Sequence, residues 1–125
     1  MANGTIAFDT LQTSGQITGT AKSVDTDYVV NGSAKSWCQG SGDASVQLSL
    51  NITSGTDNGT GDYTYTYTNN MQTTTSAICA TSNTSGARIG TYSGTTSSSY
   101  DTDHHTDAGS DVDTGHATQT FGDLA

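Results

Sequence analysis

The chain has 125 residues, the length of one domain, and its 12 acidic residues against 3 basic ones give a formal net charge of −9. Such an acidic chain excludes nucleic-acid binding, which needs a basic surface, and disfavours contact with anionic membranes. No apolar run approaches the ~20 residues of a membrane-spanning helix, and the N-terminus lacks the features of a secretory signal, so we expect no membrane insertion.

The composition is polar but typical of strands. Only 30% of the residues are hydrophobic, whereas Thr supplies 25 residues and Ser supplies 16. Proline is absent, Thr and Tyr favour strands, and the helix formers Glu, Lys, Leu and Ala are scarce. We therefore predict an all-β fold. Because so polar a domain buries little apolar surface alone, we also expect it to associate with copies of itself.

The N-terminal residues predict a strand followed by an arm. Residues 5–13 (TIAFDTLQT) have the alternation of a strand, and residues 14–27 are polar and rich in glycine, as in an extended arm or linker. Residues 28–33 contain a short apolar strand end and an Asn-Gly turn signal. We therefore divide the chain into an N-terminal strand and arm, residues 1–30, and a β-sandwich domain, residues 31–125.

The next residues predict three strands in succession. Residues 33–39 carry Trp37, the only tryptophan. Residues 45–53 form the clearest strand, in which apolar and polar residues alternate, so one face should lie on the core. A Gly/Asn/Asp turn at 54–61 then leads into a strand of alternating Tyr and Thr, which completes a β-hairpin. The predicted core face of the second strand consists of Val46, Leu48, Leu50 and Ile52.

The tyrosines of the third strand allow three interpretations. Tyr63, Tyr65 and Tyr67 share one face of the strand because side chains alternate with a period of two. A tyrosine ring is apolar and its hydroxyl can reach a polar partner, so the row fits a core, a subunit interface or a surface that stacks on a ligand. With Trp37, these three residues are our candidate binding residues.

The remainder of the domain predicts three more strands and a long loop. Residues 76–82 and 87–92 have strand patterns, residues 93–115 predict a long polar loop, and residues 116–125 predict a last strand. Strands at this spacing, with turns and no helix between them, indicate a small antiparallel β-sandwich. Cys38 and Cys79 could form a disulfide, but two buried free thiols fit a chain without a secretory signal better.

The predicted loop concentrates residues that can bind a metal. The candidate ligands are Asp101, Asp103, His104, His105 and Asp107. Aspartate suits Ca²⁺, and histidines around a trimer axis suit a transition metal. An EF-hand starting at Asp101 fails, because Thr106 stands where Gly is needed and Val112 where Glu is needed. A solvated acidic loop without metal is the alternative, so we expect no obligatory cofactor.

No arrangement of residues predicts catalysis. Ser, His and Asp are so abundant that Ser/His/Asp sets arise from composition alone, and no serine lies in a G-x-S-x-G elbow. The chain has no Glu for a pair of glycosidase carboxylates, and no glycine-rich stretch precedes a helix. We expect the protein not to be an enzyme.

Four segments together resemble a known kind of domain. They are 31–37 (NGSAKSW), 46–71 (VQLSLNITSGTDNGTGDYTYTYTNNM), 88–94 (RIGTYSG) and 121–125 (FGDLA). They resemble the C-terminal β-domain of tail-fibre and other virion structural proteins of marine tailed bacteriophages. The most specific element is the stretch 56–64 (TDNGTGDYT).

The resemblance implies a homotrimeric, all-β virion protein, made in the bacterial cytoplasm and built into the particle as a short tail fibre, an adhesin or a capsid decoration. Its partners would be its own copies, other virion proteins and a host-surface glycan. Residues 2–19 resemble the N-terminal segments that attach such fibres to the particle. The resemblance implies no catalytic residue. The alternatives are a carbohydrate-binding module that uses Trp37 or the tyrosine row, and a calcium-dependent β-domain.

Overall fold

The computed structural model describes residues 32–86 and 88–125, which form β-strands without an α-helical element. Nothing in this part of the chain is a helix of the length and hydropathy needed to cross a membrane. The strand predicted at residues 5–13 and the arm that follows it lie outside the described residues. The all-β prediction is confirmed for the part that is described.

The described residues form eight strands. They are β1 (Ser36–Gly40), β2 (Val46–Leu50), β3 (Ile52–Gly59), β4 (Asp62–Tyr67), β5 (Ala77–Ser82), β6 (Arg88–Thr95), β7 (Ser99–Thr106) and β8 (His116–Phe121). The strands form two four-stranded sheets, with the order β2-β1-β8-β5 in the first sheet and β3-β4-β7-β6 in the second. Every neighbouring pair is antiparallel, which confirms the predicted antiparallel architecture.

The two sheets face each other through tyrosine side chains. Tyr63, Tyr65 and Tyr67 of β4 are buried together with Tyr100 of β7, which confirms the core interpretation of the tyrosine row. The Tyr100 hydroxyl lies 2.6 Å from Thr118 Oγ1 on the opposite sheet, and the Tyr67 hydroxyl donates to Thr120 Oγ1 at 3.4 Å. A ring thus supplies apolar area while its hydroxyl finds a partner, and this lets a polar chain form a core.

The strand predicted over 45–53 is divided between the two sheets. Asn51 has a φ of 58°, in the left-handed region, and separates β2 from β3. Ile52 beyond this residue is buried, but Leu48 and Leu50 are exposed, so their predicted place in the core is wrong. The period of two correctly groups Leu48 with Leu50, but the sheet to which β2 belongs turns that face outward.

The tight turn predicted at 54–61 is shorter than expected. β3 extends to Gly59, and the connection to β4 consists of Thr60 and Gly61. Gly61 adopts a φ of 75°, which glycine reaches without steric strain. The β-hairpin is confirmed, with Thr56 paired to Thr64 in its middle.

The prediction of a long loop over residues 93–115 is wrong for the first half of that range. β6 continues to Thr95, and residues 99–106 form β7 in the interior of the second sheet. Tyr100, Thr102 and His104 alternate inward along β7 and are buried. Because two of these three inward residues are polar, the strand lacks the apolar alternation that would reveal it.

Both cysteines are free thiols, as predicted, but only Cys38 is buried. Burial raises the pKa of the Cys38 thiol to about 11, so it stays protonated and unreactive at neutral pH. Cys79 is exposed on β5, which is an edge strand of the first sheet. The prediction of two buried thiols is therefore wrong for Cys79.

Candidate interaction surface

The outer face of the first sheet brings exposed apolar side chains together. Ser36, Cys38 and Gly40 of β1 point into the sandwich and are buried, so Trp37 points outward. The strand register places Leu50 and Gln119 on either side of Trp37, and Cys79 beyond Gln119. These residues form one row across all four strands.

A second row lies parallel to the first. Gln39 of β1 is paired with Leu48 on one side and with Ala117 on the other, and Thr81 follows on β5. Phe121 and Ala77 pair with each other at the end of the sheet. We call this surface the Trp37 face, and it consists of Trp37, Gln39, Leu48, Leu50, Ala77, Cys79, Thr81, Ala117, Gln119 and Phe121.

Three large apolar side chains of the Trp37 face are exposed. The exposed fraction is 38% for Trp37, 61% for Leu48 and 49% for Leu50. Single exposed apolar residues are normal on a protein surface, but three large ones on neighbouring positions of two paired strands form a patch. Such a patch on a polar domain is typical of a surface that packs against another molecule.

The charges of the strands are segregated between the two sheets. The strands of the first sheet contain no Asp, Lys or Arg, and the closest charged residue in the chain is Lys35, which directly precedes β1. The strands of the second sheet contain Asp57, Asp62, Arg88, Asp101 and Asp103. The strands of the first sheet are therefore uncharged at neutral pH, with Lys35 at their margin, whereas those of the second sheet are acidic although they also expose Ile89 and Tyr92.

The acidic outer face includes part of the predicted metal set. Asp101, Asp103 and His105 are the outward residues of β7, and the Thr64 hydroxyl donates to Asp101 Oδ1 at 2.7 Å. His105 Nδ1 lies 2.8 Å from a carboxylate oxygen of Asp111. This side chain already has an acidic partner outside the predicted set.

The five predicted ligands do not converge on one point. His104 points into the core, on the opposite side of β7 from Asp103 and His105, and Asp107 follows the end of the strand. No group of three or more His, Cys, Asp or Glu residues that could hold a metal exists among residues 32–86 and 88–125. Asp101, Asp103, His104, His105 and Asp107 therefore do not form a single site within one described chain, because side chains alternate along a strand.

His104 instead belongs to a buried aromatic cluster. Its ring centroid lies 4.4 Å from that of His116 and 5.7 Å from that of Tyr63. Among the described residues, neither ring nitrogen of His104 has a hydrogen-bond partner. Burial, and secondarily the nearby His116, lowers the pKa of His104 to about 4, so the ring is neutral at pH 7.

His116 is held in one tautomer by its two hydrogen bonds. Its Nδ1 lies 2.9 Å from the carbonyl oxygen of Thr114, which can only accept, so Nδ1 carries the proton. Nε2 therefore accepts from the Tyr65 hydroxyl at 2.6 Å. Burial lowers the pKa of His116 as well. The cluster is an internal part of the sandwich, with no ring face open to a ligand.

Of the four predicted binding residues, only Trp37 lies on the surface. Tyr63, Tyr65 and Tyr67 are buried between the sheets, so the hypothesis that this row stacks on a ligand is wrong. Leu48 and Leu50, which belong to the exposed patch, were missed because their alternation is also that of a core strand. The signal that could have found them is Asn51, a residue type that tolerates a left-handed conformation and can end a strand.

Comparison of the chain with known protein families, curated proteins and solved structures finds no match. The basis for assigning a function is therefore the surface of the domain. The most informative part of that surface is the Trp37 face, because an exposed apolar patch is typical of contact with another molecule.

Proposed function

We propose that the protein is a bacteriophage virion structural protein, a homotrimeric β-rich appendage that acts in particle assembly and host-surface contact. The observation that carries the proposal is the uncharged, apolar Trp37 face on a chain with a net charge of −9. The resemblance of residues 31–125 to virion β-domains supports the same function. In the particle the protein is a short tail fibre, an adhesin or a capsid decoration.

The energetics of the two outer faces support an assembled state. Burying apolar surface yields roughly 25 cal/mol per Å², so covering Trp37, Leu48 and Leu50 stabilises an assembly. The acidic face gains nothing from burial against another acidic copy and is better left in water. An oligomer with the acidic faces outward satisfies both conditions. Residues 1–30 then serve as the arm that attaches the domain to the rest of the particle.

The solution mass of the purified 125-residue chain tests the trimer. Light scattering behind size exclusion should give three times the 12.8 kDa of one chain. The mass should be unchanged by a chelator, because the proposed assembly needs no metal. A stable monomer at micromolar concentration would contradict the proposed function.

Antibody labelling of virions tests the place of the protein in the particle. Label at the tail tip would identify a fibre or adhesin, and label distributed over the head would identify a capsid decoration. Purified virions that carry no label, prepared from an infection in which the protein is produced, would contradict a virion protein of either kind.

A second candidate function is carbohydrate binding through Trp37. An exposed indole on a flat sheet face is the kind of platform on which a sugar ring stacks. A glycan array probed with the wild type and with Trp37→Ala separates the two functions. Binding that is lost in Trp37→Ala by a monomeric protein would favour the carbohydrate-binding module over the structural role.

A further inference from the structure

We infer that the Trp37 face lies along the threefold axis of the trimer and packs against the same face of two further copies. This inference rests on the proposed function and specifies which surface forms the subunit interface. Its occupant is a second and third copy of this chain, and the evidence is the charge of the face, the character of its edge strands and its width.

The charge distribution favours copies of the chain as the partner. Any two copies repel through their net charge of −9, so they can approach closely only where the surface is uncharged. The strands of the first sheet contain no ionisable Asp, Lys or Arg, whereas those of the second sheet do. An uncharged apolar face is complementary to itself, and an acidic face is not.

The edge strands of the first sheet lack the protection that a charge or a proline gives to an edge strand. Edge strands of soluble sheets usually carry a charged residue or proline, which prevents pairing with another chain. In the second sheet, the edge strand β3 contains Asp57 and the edge strand β6 contains Arg88. In the first sheet, β2 (VQLSL) and β5 (AICATS) contain neither a charge nor a proline. Because Ala80 of β5 packs closely against Gly90 of β6 in the same chain, this difference favours a neighbouring copy chiefly at the β2 edge.

The width of the sheet fits three copies. Four strands at ~4.8 Å spacing give a face about 19 Å wide. If three such faces form the sides of a triangular prism, the distance from the centre of each face to the threefold axis is about 5.5 Å. Facing sheets pack ~10 Å apart, so half of that spacing is about the distance at which side chains fill the space to the axis. A dimer with two facing sheets would cover the faces but leave both edges open.

The prism places identifiable residues at its corners. Each corner brings β2 of one copy against β5 of the next, and Leu50 and Cys79 lie in the same row of the sheet. Leu50 of one copy therefore lies near Cys79 of the next copy. Trp37, in the middle of the row, points to the axis.

Substitution of exposed leucines tests the interface. The double variant Leu48→Thr and Leu50→Thr removes apolar area from the Trp37 face but keeps strand propensity. The matched control is Ile89→Thr on β6, because Ile89 is 51% exposed, as against 61% and 49% for the two leucines. Circular dichroism should be unchanged in both variants, since these side chains are exposed in the single domain.

The expected result is a trimer for the wild type and for Ile89→Thr, and a monomer for the double variant. The midpoint concentration of trimer dissociation should rise about 100-fold or more in the double variant. A wild-type trimer that persists in the double variant would overturn this inference and leave the proposed function intact. A wild-type monomer would overturn both, and a wild-type dimer would overturn the threefold arrangement.

Crosslinking gives a second test that does not depend on weakening the assembly. Leu50→Cys, with the native Cys79, should form disulfides between neighbours when diamide takes up the two thiol hydrogens. Non-reducing electrophoresis should then show covalent trimers. The control Thr64→Cys, which lies on the second sheet, should stay monomeric on the gel. Crosslinking that stops at dimers, or that is equal in the two variants, would overturn the prism.

Discussion

Tyrosine takes the place of aliphatic residues between the two sheets of this domain. Tyr65 and Tyr100 are buried, yet each hydroxyl has a partner on the opposite sheet, at His116 Nε2 and Thr118 Oγ1. A buried hydroxyl without a partner would cost about 1–3 kcal/mol, so these bonds are what makes a tyrosine core stable. They also restrict how the sheets can slide, because each bond joins a defined pair of residues.

The buried histidines predict a fall of stability in mild acid. The pKa of His104 is about 4 in the folded protein, against an ordinary value of 6.5, because burial and His116 disfavour the imidazolium. The neutral ring therefore contributes its full stability above about pH 6.5. As the pH falls towards 4, the unfolded chain takes up a proton that the folded chain resists, and stability decreases. Below about pH 4 this histidine causes no further loss. His116 acts in the same direction.

Thermal unfolding between pH 7.5 and pH 4 measures this effect. The melting temperature should drop by about 10 °C or more over the interval. His104→Phe should flatten the drop, because neither nitrogen of His104 has a hydrogen-bond partner in the part of the chain that the structure describes. The control His105→Gln changes the adjacent, outward residue and should retain the drop. An equally steep profile in His104→Phe would show that the buried ring is not its source.

At the scale of the element, Asn51 determines how the chain passes between the sheets. Its φ of 58° ends β2 in the first sheet and starts β3 in the second. Its side chain stabilises the crossing, since Oδ1 accepts from the Asn69 amide at 2.7 Å and Nδ2 donates to the Asn69 carbonyl at 3.0 Å. Because the chain crosses at Asn51, Ile52 lies in the core, while the pairing of β2 with β1 sets Leu48 and Leu50 on the outer face with Trp37.

Asn51→Val tests the crossing. Valine extends the β-pattern of the surrounding residues, but a β-branched residue is strained at positive φ and cannot replace the two side-chain bonds. We expect a loss of about 2–4 kcal/mol in the free energy of unfolding by urea. Asn51→Asp, which tolerates the same φ and keeps the acceptor, should lose only about 1 kcal/mol. A more stable Asn51→Val variant would contradict this account.

For the whole molecule, charge segregation couples assembly to salt. A trimer of chains with −9 each carries three times that charge, and the acidic residues on the second sheet repel one another across the assembly. The Debye length shortens from about 14 Å at 0.05 M salt to about 4 Å at 0.5 M. Salt should therefore strengthen the association of copies, because it screens the repulsion between acidic residues. The strands at the interface carry no charged side chains, so salt has no attractive ion pair between them to screen.

Sedimentation of the purified 125-residue chain in about 0.05 M and about 0.5 M NaCl measures this coupling. The concentration of half-dissociation should fall about tenfold or more at the higher salt. Ile89→Thr should show the same shift, because it changes no charge. Dissociation that increases with salt would mean that ion pairs hold the interface, and would contradict an uncharged one.

The sequence by itself determined the all-β class, the hairpin into β4 and the grouping of tyrosines on one side of a strand. These features depend on local quantities, namely strand propensity, turn chemistry and a period of two. The same local reasoning missed β7, because its inward residues include Thr102 and His104, and it assembled a metal site from side chains that alternate to opposite faces.

Only the tertiary structure decided which face of each strand is inside. The alternation of side chains along a strand predicts which residues share a face. It does not predict whether that face packs on another sheet or is exposed to water. Tyrosine rings of the second sheet meet the small inward residues of β1, such as Cys38 and Gly40, so the core is filled without Leu48 and Leu50. The two leucines lie on the surface because β2 pairs with β1 in the first sheet and the chain crosses to the second sheet only at Asn51. They thereby become part of the Trp37 face.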